Sequence, residues 1–192
     1  MNIKIKKILK KKSKTPIICL TAYSHNIAKI IDRFCDITLV GDSLANVVYG
    51  MKNTHNIDLD LMIRHGMSVK LGVKNSLFVV DMPKGTYNNF KSAISNAKKI
   101  LKKTKCDAVK IESNFKNYKI IEKMTKANIK VMGHIGFTPQ FKKKFKVQGK
   151  SNFEANKLLE DSKKIEKAGA FSIVLECIYS QTARKITSTL KI

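Results

Sequence analysis

Short apolar runs alternate with longer stretches of helical spacing along the whole chain. The apolar runs cover residues 17–22, 37–40, 77–80, 108–111, 129–132 and 171–175. Runs of this length between helical segments indicate strands that are buried on both faces, as in a parallel sheet. The intervening stretches predict helices over residues 25–34, 58–72, 90–103, 118–126, about 152–168 and 182–190. In the third of these, apolar residues recur at the three- and four-residue spacing of one buried face.

Six β/α units in regular alternation fit either an open doubly wound sheet or a (β/α)8 TIM-type barrel. The first strand is not followed by the GxGxxG turn of dinucleotide-binding sheets. Residues capable of chemistry follow the second to sixth strands, and a barrel brings all strand ends to one mouth, whereas a doubly wound sheet has one switch point. We therefore expect a single α/β barrel domain over residues 1–192, incomplete because six strands do not close a barrel of eight.

Four carboxylates stand at the carboxyl ends of predicted strands: Asp42, Asp81, Glu112 and Glu176. The chain has 14 acidic residues against 38 basic ones, so this placement is hard to attribute to chance. Any one of them alone is explained by an acid that caps the following helix. The four together, with Lys110 two residues before Glu112, favour a metal site or an acid/base site.

These residue types suit magnesium and a small anionic substrate. Mg²⁺ binds hard oxygen ligands and usually takes only one or two carboxylates directly. Lys110 faces the same side of its strand as Glu112 and could neutralise a substrate carboxylate. Ser43 could donate a hydrogen bond to the same anion, and Glu176 could act as a general base. His134 could be a ligand, a proton shuttle, a support for neighbouring groups or a core histidine.

The net charge of +24 raises the question of nucleic-acid binding. Arg occurs only at positions 33, 64 and 184, so 35 of the 38 basic residues are Lys. Base readout and bidentate phosphate contacts prefer Arg, and the lysines are spread over many predicted helix faces. Nucleic acid is therefore an unfavoured partner, although a basic binding protein on a damaged scaffold stays open as an alternative.

Other features of the sequence point to a cytoplasmic protein. No apolar run approaches the roughly 20 residues of a membrane span, and residues 1–14 form a basic segment without the apolar region of a secretory signal. The four cysteines are scattered without CxxC spacing, as in reduced proteins. We expect His25, His55 and His65 at the surface.

Several motifs together resemble the ketopantoate hydroxymethyltransferase (3-methyl-2-oxobutanoate hydroxymethyltransferase) family in order and spacing. The resemblance runs from about Leu20 to the last residue. The motifs are LVGDSL at 39–44, DMP at 81–83, VKIE at 109–112, GHIGFTPQ at 133–140, KVQG at 146–149 and LEC at 175–177.

The resemblance implies a (β/α)8 barrel that forms large homo-oligomers. It also implies transfer of a hydroxymethyl group from 5,10-methylenetetrahydrofolate to the α-keto acid 3-methyl-2-oxobutanoate, giving 2-dehydropantoate for pantothenate biosynthesis through a Mg²⁺-stabilised enolate. The family's metal ligands fall on Asp42, Asp81 and Glu112. Its substrate contacts fall on Asp42, Ser43, Asp81 and Lys110, and its catalytic base falls on Glu176.

The chain departs from the family pattern at several positions. Ser24 replaces the acid of TAYD, Ala45 replaces a glycine, and Lys84 stands where an apolar residue is usual. Lys143, Lys144 and Phe145 replace glycines ahead of KVQG. The last quarter of the family's length is absent, so we expect a fragment, a chain that completes its barrel with another chain, or a relic. A Mg²⁺-dependent C–C lyase or mutase of the phosphoenolpyruvate mutase and isocitrate lyase group is the alternative enzyme.

Overall fold

The computed structural model describes residues 2–114, 117–142 and 144–192. It divides into two compact units, Met1–Lys110 and Ile111–Ile192, which we call unit 1 and unit 2. The expectation of one domain over the whole chain stays a prediction.

Unit 1 alternates helices and strands in the predicted order, with two additional helices. Its elements are α1 (Ile3–Lys11), β1 (Cys19–Thr21), α2 (His25–Ile31), β2 (Ile37–Val40), α3 (Leu44–Val47), α4 (Leu59–Gly72), β3 (Leu77–Asp81), α5 (Phe90–Thr104) and the first residues of β4 (Ala108–Glu112). Helices α1 and α3 are the two that the apolar pattern did not predict.

Helix α1 forms within the basic N-terminal segment because that segment is amphipathic. The side chain of Asn2 accepts the backbone N–H of Lys4, which caps the first turn. Ile5 and Ile8 are buried, whereas most of the lysines are not. Lys4 Nζ donates to the carbonyl oxygen of Ser76 at 2.8 Å, just before β3 begins. The segment therefore packs against the amino-terminal ends of the strands.

The strands of unit 1 are parallel and paired in chain order. Val40 pairs with Val80, and Asp81 pairs with Lys110, so the carboxyl ends of β2, β3 and β4 lie along one edge. Every residue of β3 is buried, as the continuous apolar run Leu77–Val80 predicted. Helix α5 begins with a capping box between Asn89 and Ser92.

Unit 2 continues the alternation from the end of β4. Its further elements are α6 (Tyr118–Lys126), β5 (Val131–Gly136), α7 (Asn152–Lys167), β6 (Ser172–Glu176) and α8 (Ser180–Thr189). Strands β5 and β6 are parallel, with Gly136 opposite Glu176. The core includes large apolar side chains from the strands and the helices, namely Ile111, Ile121, Met124, Val131, Ile135, Leu158, Ile165 and Ile186.

Two predicted strands differ from the observed ones. The first is shorter than residues 17–22, and its three residues are exposed. The fifth begins at Val131 and continues through Gly136, beyond the predicted residues 129–132. The strand continues because Met132 to Gly136 pair with Ser172 to Glu176 of β6. A Cβ at Gly133 would lie 2.7 Å from Ile165 Cγ2, so glycine allows α7 to approach the strand closely there.

The strand order is that of the chain, β1-β2-β3-β4-β5-β6. A doubly wound sheet reverses direction at a switch point, whereas a barrel adds each strand beside the previous one. The described topology is therefore that of six β/α units of the barrel class.

Candidate active site

Two acids and a lysine meet at the carboxyl edge of the strands in unit 1. Asp81 ends β3, and its Oδ2 accepts the backbone N–H of Asp42 at 3.1 Å. Lys110 reaches the same oxygen at 3.0 Å. Asp42, Asp81 and Lys110 are all buried. The structure thus brings together three of the residues that the sequence predicted for substrate or metal.

Asp81 occupies an environment that disfavours its charge. Its relative exposure is 2%. Burial raises its pKa from 3.8 to about 6, Lys110 opposes this change, and Asp42 adds to it. Within the described ranges, the buried Oδ1 of Asp81 has no hydrogen-bond partner. An oxygen of this kind suits a cation, which would complete its coordination.

Ser43 is held by a residue that the sequence did not single out. Its Oγ lies 2.8 Å from the hydroxyl of Tyr23, which follows β1. Gly41 permits the tight turn before Asp42, since a Cβ there would lie 2.8 Å from Ser43 Oγ. Tyr23 belongs to the segment that departs from TAYD at Ser24, but no sequence pattern predicted a role for it in the site.

Glu112 and His134 form the buried centre of unit 2. Glu112 Oε2 accepts the backbone N–H of Gln140 at 3.0 Å. Glu112 Oε1 lies 3.8 Å from His134 Nδ1. The carbonyl oxygen of Glu112 accepts the side-chain amide of Asn117 at 2.7 Å. His134 is therefore built into an acid cluster, and Gln140 and Asn117 are supports that the sequence reasoning missed.

Glu176 lies beside His134 at the end of β6. Its Oε2 lies 3.2 Å from His134 Nε2, but the two groups are not aligned as in a hydrogen bond. The Glu176 side chain is 40% exposed, whereas that of His134 is 2% exposed. This carboxylate is thus accessible, and one edge of it faces an imidazole.

The backbone around Glu176 is fixed by unusual local conformations. Cys177 adopts a left-handed conformation with φ of 52°, and Gly136 has φ of 98°. A Cβ at Gly136 would overlap the carbonyl oxygen of Glu176. That same carbonyl accepts the N–H of Phe137 at 2.8 Å. Glycine at this position therefore allows β5 to approach the proposed base closely.

A lysine clamp ties the end of β5 to the KVQG motif. Lys142 Nζ donates to the carbonyl oxygen of Gly136 and to Gln148 Oε1, both at 2.7 Å. The backbone N–H of Gln148 donates to the carbonyl of Cys177 at 2.8 Å. Burial lowers the pKa of Lys142. This lysine is thus a cross-link in the loop over the strand ends of unit 2.

Most of the residues that depart from the family pattern are exposed. Ser24 precedes α2 without a side-chain cap, Ala45 is buried in α3, and Lys84 is exposed. Lys144 and Phe145 are exposed as well, although Phe145 makes an edge contact with another ring. Lys143 lies outside the described residues.

The remaining histidines are less exposed than predicted. His25, His55 and His65 are each half-buried rather than fully at the surface. His65 bonds the carbonyl of Tyr23 and the hydroxyl of Tyr49, so contacts within unit 1 explain its position.

The described side chains offer few ligands for a divalent metal. Across residues 2–114, 117–142 and 144–192, no group of three or more His, Cys, Asp or Glu side chains is arranged to hold an ion. Asp42 contacts the Asp81 carboxylate through its backbone N–H, however, and its charge adds to the raised pKa of Asp81. Two carboxylates are as many as Mg²⁺ usually binds directly. The pair fits magnesium, and the roles of Asp42, Asp81 and Glu112 as ligands stay predictions.

Comparison with known proteins decides the family. The family model for ketopantoate hydroxymethyltransferase matches residues 2–192. The chain belongs to the ketopantoate hydroxymethyltransferase family. It is 56% identical over 192 residues to the 3-methyl-2-oxobutanoate hydroxymethyltransferase of Pelagibacter ubique, covering 100% of this chain and 75% of that protein. The protein of the same name from Chelativorans is 41% identical over 189 residues, covering 96% of this chain and 67% of the relative.

The family assignment confirms the predicted enzyme class, since these relatives are named as hydroxymethyltransferases, which are transferases. The family's description, which names ketopantoate, also agrees with the expected pantothenate pathway. The incomplete length expected from the motifs agrees with the 75% and 67% coverage of the two relatives.

Solved structures confirm the fold class. A 2,3-dimethylmalate lyase, a member of the PEP mutase/isocitrate lyase superfamily, matches with a TM-score of 0.71 and 14% identity, covering 97% of this chain and 68% of that chain. A phosphonopyruvate hydrolase in complex with oxalate and Mg²⁺ matches with a TM-score of 0.68 and 11% identity, covering 93% and 63%. At such low sequence identity, these matches support the incomplete TIM-type barrel fold and nothing about function. In the part of the chain that the structure describes, no helix is long and apolar enough to cross a membrane.

Proposed function

We propose that the protein transfers a hydroxymethyl group from 5,10-methylenetetrahydrofolate to 3-methyl-2-oxobutanoate, forming 2-dehydropantoate with the help of Mg²⁺. The family assignment supports the keto acid and the transferred group. The observation that carries the proposal for this chain is the buried Oδ1 of Asp81, beside Asp42 and Lys110, which has no hydrogen-bond partner among the residues that the structure describes.

Asp42 and Asp81 would hold the metal ion. When bound, Mg²⁺ supplies positive charge that makes the C–H next to a ketone more acidic. The phosphonopyruvate hydrolase neighbour was crystallised with Mg²⁺ and oxalate, which is itself a small dicarboxylate. Glu112 is the third proposed ligand, and one of the three acids is expected to act through water.

Lys110 and Ser43 would bind the substrate's anionic end. Lys110 Nζ is buried beside Asp81, where little water screens its positive charge, so it would attract a nearby carboxylate strongly. The Ser43 hydroxyl lies one residue after Asp42 and is half-buried. Together they supply one charge and one hydrogen bond for a carboxylate and its neighbouring keto oxygen.

Glu176 would act as the base. It takes the proton from C3 of the keto acid, and the electron pair left at C3 forms the new C–C bond to the one-carbon unit carried by folate. The two bonds from that carbon to folate nitrogens break, water supplies the hydroxyl of the product, and the nitrogens take up the C3 proton and the remaining proton of that water. His134 contacts both Glu176 and Glu112, so it would orient the two carboxylates and limit their rotation. The exposed part of Glu176 leaves room for substrate to approach.

Lyase or mutase chemistry is the alternative, since the structural neighbours include such enzymes. Those neighbours share only 11–14% of the sequence, which supports a common fold and no particular reaction. Cys177 is half-buried on a left-handed turn directly after Glu176, and no described contact assigns it a catalytic role. The transferase is therefore the better supported function. A homo-oligomer and a cytoplasmic location stay predictions.

The Glu176→Gln variant tests the proposal. Formation of 2-dehydropantoate is measured with Mg²⁺ and both substrates, and keto acid binding is measured by calorimetry. We expect the variant to lose at least about a hundredfold in turnover, the usual worth of a general base, while binding the keto acid nearly as well. Glu122→Gln is the matched control, because Glu122 is a surface acid paired with Lys126.

Two results would contradict the proposal in different ways. Equal loss of turnover and binding in Glu176→Gln would remove the base assignment. A folded wild-type chain that forms no product under these conditions would overturn the proposed function.

A further inference from the structure

A series of hydrogen bonds in unit 1 connects Tyr49, His65 and Tyr23 with Ser43. The Tyr23 hydroxyl lies 2.8 Å from Ser43 Oγ, and the carbonyl oxygen of Tyr23 lies 2.6 Å from His65 Nδ1. His65 Nε2 lies 2.9 Å from the hydroxyl of Tyr49, and the two rings meet edge to face. The side chain of Tyr23 thus contacts Ser43 in the site, and its backbone contacts His65 on helix α4.

The chemistry of these groups fixes the direction of the hydrogen bonds. A backbone carbonyl only accepts, so His65 Nδ1 must carry the proton that it donates to Tyr23. In the neutral ring Nε2 then accepts, so the hydroxyl of Tyr49 donates to it. His65 is therefore held at both nitrogens, and it fixes the backbone at Tyr23.

The bond between Tyr23 and Ser43 has two possible directions, and they differ in consequence. Each hydroxyl has one proton to donate. If Ser43 donated to Tyr23, its proton would be unavailable to an anionic substrate. If Tyr23 donates, the proton of Ser43 is left for the substrate, and the bond received from Tyr23 makes it a better donor.

We propose that Tyr23 is a further positioning residue of the site: its hydroxyl donates to Ser43, so that the Ser43 proton points to the substrate's anionic oxygen, and His65 holds Tyr23 in place. The part that concerns substrate rests on the proposed function. Tyr23 lies in the segment 21–24 that corresponds to TAYD, but neither Tyr23, Tyr49 nor His65 is among the site residues that the family resemblance implies.

The hydrogen bond itself is tested without substrate. Unfolding by urea is measured for wild type, Tyr23→Phe, Ser43→Ala and the double variant in the full chain. A coupling between the two changes is expected, because each single change removes the same bond. Strict additivity of the two effects would overturn the proposal.

The role toward substrate is tested by binding and kinetics. Calorimetry with 3-methyl-2-oxobutanoate and Mg²⁺ is expected to show about tenfold weaker binding for Tyr23→Phe, the scale of one lost hydrogen bond to a charged partner. KM for the keto acid should rise while kcat changes much less. Tyr118→Phe is the control, because Tyr118 lies on α6 and faces Lys164.

A matched pair of variants tests His65. Asn at this position places an amide near Nδ1 and can still donate to the carbonyl of Tyr23, whereas Gln places its amide near Nε2 and keeps only the contact to Tyr49. His65→Asn should bind the keto acid more tightly than His65→Gln does. The opposite order would overturn the role of His65.

The outcomes separate this inference from the proposed function. A folded wild-type chain that binds no keto acid would overturn the proposed function together with the substrate role of Tyr23. Wild-type binding matched by Tyr23→Phe would overturn the inference alone.

Discussion

Replacing Asp81 by Asn should change how the stability of the protein depends on pH. The amide keeps an oxygen that can accept the hydrogen bonds from Asp42 and Lys110. It removes the charge and one potential ligand oxygen. In the wild type, burial raises the pKa of Asp81 from 3.8 to about 6, which is a cost of ionising this group in the folded chain.

The size of the effect follows from these two values. The difference between pKa values of 3.8 and about 6 corresponds to a free-energy cost of roughly 3 kcal/mol, since each pKa unit is worth about 1.4 kcal/mol. Because the folded chain binds the proton more tightly than the unfolded chain, this penalty is absent below about pH 4. It grows as the pH rises and is complete above about pH 6. The free energy of unfolding should therefore fall across this window.

Urea denaturation from pH 4 to pH 7.5, without divalent metal, measures this dependence. The Asp81→Asn curve should be flatter than the wild-type curve by roughly 3 kcal/mol across the range. Asp81→Ala is the control, because it also removes the charge but creates a cavity at every pH. Parallel curves for wild type and Asp81→Asn would refute the reasoning about burial.

Three further predictions concern other residues than Asp81. Asp161→Asn should raise stability above pH 6 by as much as roughly 3 kcal/mol, measured by denaturation, because burial raises the pKa of Asp161 to about 6; no gain would contradict this. Asp32→Asn should lower the free energy of unfolding by roughly 2 kcal/mol at neutral pH, because hydrogen bonds from the backbone around Ser76 outweigh burial and lower the pKa of Asp32 to about 2. The wild type should lose this stabilisation as the pH falls from about 4 to about 2. An unchanged unfolding midpoint in Asp32→Asn would contradict the prediction. Lys142→Met should speed hydrogen exchange near Gln148 while leaving α4 unchanged, and equal protection in both proteins would rule out the clamp.

The placement of the strand-end acids could be predicted because parallel strands expose their carboxyl ends along one edge. Asp81 directly follows an uninterrupted apolar run, and Asp42 follows a largely apolar one over residues 37–41. The structure places the backbone N–H of Asp42 against the Asp81 carboxylate. Strand β3 was nearly complete in the prediction because all of its residues are buried, so hydrophobicity alone identifies it.

Other elements carry weaker signals. The predicted fifth strand ended too early because glycine and histidine are not typical strand residues, yet Gly133 and His134 both pair with β6. Gly133 lies close against Ile165, and His134 is buried. Helix α1 was missed because its lysines obscure two isoleucines three residues apart, Ile5 and Ile8.

Support for the site could not be predicted, since it depends on contacts between residues distant in the chain. Tyr23 meets Ser43 across 20 residues, and His65 meets Tyr23 across 42. Gln140 supports Glu112 through its backbone N–H, a group that every residue except proline has. The pattern of side chains along a sequence contains no record of such backbone contacts.

The most direct test of the mechanism follows the C3 proton of 3-methyl-2-oxobutanoate in deuterated water by NMR, without folate. With Mg²⁺ present, the wild-type chain should exchange this proton for deuterium, whereas Glu176→Gln should not, and removal of Mg²⁺ with a chelator should stop the exchange. Exchange at the same rate in wild type and Glu176→Gln, or exchange that persists without the metal ion, would contradict the account.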